Sequence, residues 1–482
     1  MEMPPPDAGI LARRDAIVAR LEAAAPGAVI CDPAETRVYE CDALSAYRCP
    51  PLAVVLPRST AEVAAVLGAC AAEGVPVVPR GAGTSLAGGS MPTADAVVVG
   101  LARMNRVLEI APADRLVRVE VGRTNLSVSD AVAGDGFFYA PDPSSQLACA
   151  IGGNIAMNSG GAHCLKYGVT TNNLLGLTVV LMSGEVVELG GPTGESGGLD
   201  LMGVLCGSEG QLGLVTEAVL RILPRPAGAR PVLVAFDSAE TAGACVAAII
   251  RAGILPVAIE FMDRPCIRAT EDYCGAGYPD CEALLIIEVE GTGPEIDEAL
   301  GLIRDIAARF DPLEFRQSRS EDESRRIWLG RKAAFGAMGQ LNDYMCLDGT
   351  IPVSALPQVL ARIGQLSAEH GLEVANVFHA GDGNMHPLIL YDANAPGDLE
   401  RAEALGADIL RLCVEVGGCL TGEHGVGIEK RDLMAVQYRP ADLEAQMRVK
   451  DVFDPDWLLN PAKVFPLALS AGRRTRPRDA AA

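Results

Sequence analysis

Aromatic residues are scarce in this chain: two Trp, nine Tyr and ten Phe among 482 residues, or 4%. A surface that stacks on nucleic-acid bases therefore has little raw material. Basic residues are outnumbered too, 40 Lys and Arg against 62 Asp and Glu, for a formal net charge of −22. Such a field repels a phosphate backbone and anionic lipid alike. No apolar run reaches the roughly 18–20 residues that span a bilayer. Met1 to Gly9 has neither the basic nor the apolar region of a signal peptide. None of the fourteen cysteines stands in a Cys-x-x-Cys spacing. The usual signature of iron–sulfur and zinc-knuckle sites is thus missing, and the thiols fit a reducing cytoplasm.

What is present is a globular mixture, 49% hydrophobic and 21% charged, long enough for two or three domains. A disordered lead-in precedes an amphipathic helix over Leu11 to Ala25. Leu52 to Pro57 reads as a short buried strand, Ser59-Thr-Ala-Glu62 as a capping box opening a helix to about Glu73, and Val75 to Val78 as the next strand. Alternating Leu116 to Val121 and apolar Leu174 to Met182 add further strands. Pro224 to Arg230 reads as a linker. Beyond it a β–α–β pattern occurs twice, Val232 to Met262 and Ala283 to Arg316, which predicts an antiparallel ferredoxin-like sheet with helices on one face. The end of the chain reads as helical, with a basic mobile tail from Arg473 to Ala482.

Pro79-Arg80-Gly81-Ala82-Gly83-Thr84-Ser85, running on to Gly88-Gly89-Ser90, directly follows a predicted strand. Its glycines let backbone N–H groups approach an anion, and Thr84 and Ser85 add hydroxyl donors. Leu86 stands where the dinucleotide fingerprint needs its third glycine, and no Gly-Lys-Ser/Thr follows, so neither common phosphate loop fits. Taken alone, the segment is equally a set of tight turns.

A second concentration of chemistry is Phe378-His-Ala-Gly-Asp-Gly-Asn-Met-His386. Asp382-Gly383 between two β-like runs signals a two-residue hairpin turn with φ > 0 at both central positions. Centred there, the pairing sets His379 opposite His386, with Cβ atoms roughly 5 Å apart, close enough to share a divalent ion. The plainer alternative is a hydrogen-bonded strand pair. In Gly422-Glu423-His424-Gly425, Glu423 could supply a third ligand and His424 a general base.

Three further segments accompany the first loop: Pro141-Asp142-Pro143-Ser144-Ser145; glycine-rich Ile151 to Gly161; and Gly207 to Thr216, with Lys166-Tyr167-Gly168 between the last two. In this order they resemble the FAD-binding domain of the vanillyl-alcohol oxidase / p-cresol methylhydroxylase flavoproteins. The resemblance implies that Arg80 to Ser90 wraps the pyrophosphate and that Pro141, Asp142 and Ser144 approach the isoalloxazine. Gly152, Gly153, Asn154, Asn158, Gly160 and Gly161, with Tyr167 and Gly168, would continue the cradle, and Glu209, Gly210, Gly213, Val215 and Asn460 would complete it. Some members attach flavin through His, Cys or Tyr. The first loop offers none of these, so non-covalent FAD is expected.

The hairpin, Gly422 to Gly425, Asp348-Gly-Thr-Ile-Pro352 and Leu458-Leu-Asn-Pro-Ala-Lys463 resemble the FAD-linked oxidase branch that contains glycolate oxidase and the D-lactate and D-2-hydroxyglutarate dehydrogenases. The likeness runs from about Pro51 to Lys463, and the hairpin region is especially similar to the FAD-linked subunit type of bacterial glycolate oxidase. It implies an α+β protein: a two-subdomain FAD-binding domain of p-cresol methylhydroxylase type, a ferredoxin-like substrate (cap) domain and a helical C-terminal segment. The corresponding boundaries are 1–50, 51–226, 231–420, 421–468 and a 469–482 tail. His379, His386 and Glu423 would bind a divalent metal (zinc, or iron or manganese). His424 would take the hydroxyl proton, and Arg331 of Trp328-Leu-Gly-Arg331 would hold the substrate carboxylate. Further FAD-binding and iron–sulfur subunits are the implied partners, and association with the membrane would come only through them.

Hydroxyglutarate enzymes carry polar residues where this chain has Leu388 and Cys346. A small monocarboxylate, glycolate or D-lactate, is therefore the expected substrate. The alternatives are a hydroxyglutarate-type dehydrogenase and a non-catalytic FAD-binding scaffold. Val353 stands where relatives of the glycolate type often have a basic residue, so a second anchor is not expected there.

Overall fold

Ser59 opens a helix over Thr60–Glu73, its hydroxyl accepting the Glu62 N–H, and Gly74 closes that helix with φ 66°. The Ser59 N-cap thus acts where the sequence puts it, while the Glu62 carboxylate accepts the Arg58 N–H and so does not complete the expected capping box. At the N-terminus the first helix starts earlier than expected, at Ala8, because Asp7 caps it. The computed structural model describes residues 3–193, 197–470 and 472–473. These fall into two units. One comprises 1–159, 169–224 and 423–482; the other comprises 160–168 and 225–422.

Besides a two-stranded ladder of Phe137–Phe138 with Leu223–Pro224, the first unit contains two larger sheets over a shared apolar core. In the smaller, the strands Ala53–Val55, Val97–Gly100 and Val77–Arg80 run parallel, with Val29–Ile30 added antiparallel at the edge. The larger is antiparallel, in the order Val107–Ala111, Leu116–Glu120, Leu214–Arg221, Leu174–Val180, Val186–Gly190. Leu174–Val180 is buried along its whole length, in keeping with an apolar run that only Thr178 interrupts. The chain returns to this unit late. Leu459 bridges to Val77, and Arg473 forms ion pairs with Glu444 and Asp451. Arg473 is nine-tenths buried, so the tail expected from that residue onward does not begin there; two carboxylates hold its charge. Residues 474–482 lie outside the described residues.

The second unit is built on the expected duplicated pattern. Its sheet runs Glu314–Gln317, Ala229–Phe236, Ala283–Glu290, Ala258–Asp263, all antiparallel, which is the ferredoxin-like order. Val374–His379 then pairs with the outer edge of Ala258–Asp263 and carries the hairpin into the same sheet. One face holds the apolar core, where residues such as Phe261 and Phe378 stack under the helices Ala239–Arg251, Gly293–Ala307 and Leu356–His370. The other face is not bare. It bears Glu260 and Glu288, and the long helix Glu321–Leu341 is tied to it through Arg331 and Trp328. The expectation of helices on one face is corrected here, because the buried Glu260 and the partly buried Glu288 take their partners on the second. Among the described residues no helix is long and apolar enough to cross a membrane.

Asp263 locks the hairpin strand onto the ferredoxin-like sheet. It caps the helix Arg264–Cys274 through the Cys266 N–H and accepts both the backbone and side-chain N–H of Asn376, each at 2.8 Å. Burial pushes its carboxyl from 3.8 up to about 7, despite those donors. A carboxyl whose folded pKa is raised contributes stability below its unfolded value and loses it as the pH rises through about 7. Asp263→Asn should therefore lower the melting temperature more at pH 5 than at pH 8. Thermal melts of both proteins at the two pH values check this, and a difference independent of pH would contradict it.

Candidate active site

The hairpin forms, but in a different register from the one its sequence predicts. Residues 380–383 make the turn, and His379 pairs with Asn384 while Asn376 pairs with Pro387. Only Gly383 takes a positive φ, 78°. The turn is set by docking, not by its own two central residues. The Ile351 N–H donates to the Gly383 carbonyl at 3.0 Å, and a Cβ on Gly383 would stand 2.1 Å from the Ile351 carbonyl oxygen. The shift is two residues, which is one full side-chain period of a strand, so His386 stays on the face of His379. The two rings sit edge to face with centroids 5.2 Å apart.

Each ring has its Nδ1 on an acceptor. His379 Nδ1 donates to Glu260 Oε1 at 2.8 Å, and His386 Nδ1 donates to the Leu347 carbonyl at 3.1 Å. A carboxylate and a carbonyl only accept, so each ring in its neutral form would carry its lone pair on Nε2, the form that ligates a divalent cation. The ligand atoms of His379 and His386 lie within 4.8 Å of each other, and Cys346 Sγ lies within the same distance of His386. Both imidazoles are buried. This donor set fits a divalent ion of borderline softness.

Glu260 stands directly across from His379 on the neighbouring strand. Its other oxygen accepts from Arg331 Nε at 2.7 Å. Burial alone would raise this carboxyl, but His379 and Arg331 beside it more than offset that and hold it below its ordinary value. Arg331 is held at its backbone as well. Its N–H donates to the Tyr278 hydroxyl at 3.0 Å, and that hydroxyl donates to the Ile327 carbonyl. Tyr278 is thus inserted into one i→i−4 rung of the helix Glu321–Leu341. Gly330 makes room, since a Cβ there would stand 2.3 Å from the Tyr278 ring. The terminal nitrogens of Arg331 form no other hydrogen bond among the described residues.

Asp348, fully buried, accepts from the Thr421 hydroxyl and from the Gly422 N–H at 3.0 Å, and its backbone carbonyl accepts the same N–H at 2.9 Å. Asn384 fills the space where a Gly422 side chain would be. The second unit ends at Gly422, and Glu423 and His424 are the next two residues. Beyond them Glu209, itself at φ 53°, accepts the Val426 and Gly427 N–H groups at 2.7 Å each. Leu388 and Cys346 are cross-strand partners, both buried. The two positions read separately in the sequence form one apolar pair.

In the first unit the glycine segments converge. A Cβ on Gly81 would stand 3.2 Å from the Gly153 nitrogen, one on Gly210 would meet Pro79 at 2.9 Å, and one on Gly213 would meet Val179 at 2.6 Å. Val215 pairs with Val179 in the larger sheet. Arg80 turns back to donate to the Cys41 carbonyl at 2.7 Å, its guanidinium lying over Gly83. Asn125 donates to the Pro141 carbonyl and to Asn154 Oδ1, both at 3.1 Å. Asn460 ties the loops together. Its Nδ2 donates to the carbonyls of Gly89 and Glu209, and its buried Oδ1 has no partner among the described residues. Such an orphaned acceptor beside close-packed glycines fits a bound polar cofactor.

Gly160, Gly161, Tyr167 and Gly168 group with the second unit. There Tyr167 donates to Glu290, Lys166 pairs with the same carboxylate at 2.7 Å, and His163 and Trp328 share Glu288. Glu260, Glu288 and Tyr278 were not singled out in the sequence. The available signal was acidic residues set inside otherwise apolar strands.

Comparison with known proteins agrees with both halves. Residues 51–190 match the family described as FAD binding domain, and residues 225–464 match FAD linked oxidases, C-terminal domain. The chain is 49% identical over 456 residues to the glycolate oxidase subunit GlcD of Escherichia coli (strain K12), covering 94% of this chain and 91% of that one. It is 30% identical over 427 residues to a D-lactate dehydrogenase of Anaerostipes hadrus, covering 86% and 89%. Among solved structures, p-cresol methylhydroxylase with substrate bound superposes with a TM-score of 0.78 at 18% identity, over 96% of this chain and 98% of that one. The fold is of that type.

Asn460→Ala should loosen the FAD site without unfolding the chain. Two buried hydrogen bonds at about 1 kcal/mol each correspond to roughly thirtyfold weaker FAD retention. Titration of the FAD-free protein with FAD, followed by flavin fluorescence, measures it. Retention equal to the wild type would contradict the role given to Asn460.

Proposed function

Because the chain belongs to the family of FAD-linked oxidases, we propose that it is an FAD-dependent dehydrogenase of small 2-hydroxy monocarboxylates, glycolate or D-lactate. The observation that carries this reading is a buried imidazole pair and a buried arginine, joined by Glu260 on one sheet face. An imidazole pair suits a hydroxyl bound through a divalent ion, and a guanidinium with unspent donors suits a carboxylate. A 2-hydroxy acid carries those two groups on adjacent atoms. The near full-length likeness to proteins named glycolate oxidase subunit and D-lactate dehydrogenase supports the same substrate class.

The residues divide the work as follows. Arg331 orients the carboxylate with its terminal nitrogens, its Nε being committed to Glu260. His379, His386 and Glu423 would hold a divalent ion, whose chemistry there would be Lewis-acid polarisation of the substrate hydroxyl. His424 accepts the hydroxyl proton as C2 loses its hydrogen, leaving the 2-oxo acid. The glycine segments would cradle FAD, whose chemistry there would be to accept that hydride. The apolar Leu388–Cys346 pair offers nothing to a second carboxylate, which disfavours hydroxyglutarate. A relative is named as a subunit, and no Cys-x-x-Cys occurs here to house a cluster. Partner subunits, an iron–sulfur protein among them, would take up the electrons.

Anaerobic mixing with glycolate or D-lactate should bleach the flavin absorbance near 450 nm, and D-2-hydroxyglutarate should do so at least tenfold less efficiently. His424→Ala should slow bleaching about 100-fold or more while the flavin stays bound. Bleaching by neither monocarboxylate would overturn the substrate, and an unimpaired His424→Ala would overturn the assignment of the base.

A further inference from the structure

Glu260 is placed to do more than neutralise a buried arginine. Its two oxygens are divided between His379 Nδ1 at 2.8 Å and Arg331 Nε at 2.7 Å, and it is wholly buried. Both partners are donors that cannot turn away. His379 is fixed by its strand pairing with Asn384 and with Glu260 itself, and Arg331 by the Tyr278 hydroxyl on its backbone N–H. Water is excluded from all three side chains.

We propose that Glu260 is a positioning residue that sets His379 as a metal ligand and couples the metal site to Arg331. This rests on the reading of His379 and His386 as ligands. A carboxylate accepting from Nδ1–H fixes the tautomer with Nε2 unprotonated and makes the ring a better donor to a cation. The same carboxylate shares its charge with Arg331. An ion on His379 and the guanidinium therefore draw on one negative charge, and a change at either is felt at the other. Glutamine cannot replace it. Its single amide oxygen can serve one of the two donors, while its NH₂ meets the other head-on or forces His379 into the wrong tautomer. Aspartate keeps the charge but is one methylene short of reaching both.

The test uses the full FAD-loaded chain, stripped with a chelator and titrated with Zn²⁺. Glu260→Gln should bind Zn²⁺ about 10–100-fold more weakly than wild type with its flavin spectrum unchanged. Glu260→Asp should fall between the two, and it serves as the reading should the glutamine variant not fold. Arg331→Met, which leaves the carboxylate to His379 alone, should tighten Zn²⁺ at least threefold, and this gain should vanish in the Glu260→Gln background. A purely structural role would give no such change of sign. Zn²⁺ affinity within threefold of wild type in both Glu260 variants, or an Arg331→Met that weakens Zn²⁺ as much as Glu260→Gln does, would overturn the proposal. His379→Ala tells the two levels apart. If it retains wild-type Zn²⁺ affinity, the ligand assignment itself fails and the role of Glu260 falls with it. If it abolishes binding while Glu260→Gln does not alter it, only the role of Glu260 is lost.

Discussion

A carboxylate removed from water must find its partners inside the protein, and the second unit is arranged around one that does. Burying an isolated charge costs several kcal/mol even after relaxation, and the cost is recovered only with well-placed donors. Glu260 has two, from elements far apart in the chain: the hairpin strand through His379 and the long helix through Arg331. Satisfying it therefore fixes the edge of the sheet and the rotation of the helix together. The same constraint explains the Tyr278 hydroxyl in the helical ladder and the glycine beside it, which hold Arg331 where its Nε can reach.

The ferredoxin-like sheet separates tasks by face. Side chains at alternate positions feed the apolar core, and those between them are free to be polar. On Ala258–Asp263 and Ala283–Glu290 the second set includes Glu260, Glu288 and Glu290, each engaged by a named donor. A ferredoxin-like core of this kind could stand without any of these carboxylates. Their presence on one face marks it as the chemical face. In the first unit glycine serves the equivalent purpose, letting separate loops approach within contact, where the Asn460 side chain ties the carbonyls of Gly89 and Glu209 together.

Much of this was legible in the sequence. The helix N-cap at Ser59, the duplicated β–α–β pattern and the ferredoxin-like order came from local signals of the right period, and the glycine segments pointed to FAD. The hairpin was legible in kind but not in register. Its turn length depends on Gly383 docking against Ile351, a contact that no dipeptide rule contains. The shared face of His379 and His386 survived because a two-residue slip preserves strand parity. Glu260 was passed over because a glutamate within Val257 to Met262 reads as ordinary alternation, and its partners lie 71 and 119 residues away. Arg473 looked like part of a basic tail for a similar reason: the acids that hold it, Glu444 and Asp451, sit 29 and 22 residues back on the helix Pro440–Phe453.

The central claim is that His379 and His386 are presented, Nε2 first, to one divalent ion. X-ray data collected on either side of the zinc absorption edge from Zn²⁺-loaded crystals test it most directly. The account predicts one anomalous peak per chain, about 2.0–2.1 Å from Nε2 of both histidines, with each Nδ1 still on its acceptor. A peak bound through Nδ1, a peak away from this pair, or no peak at all would contradict it.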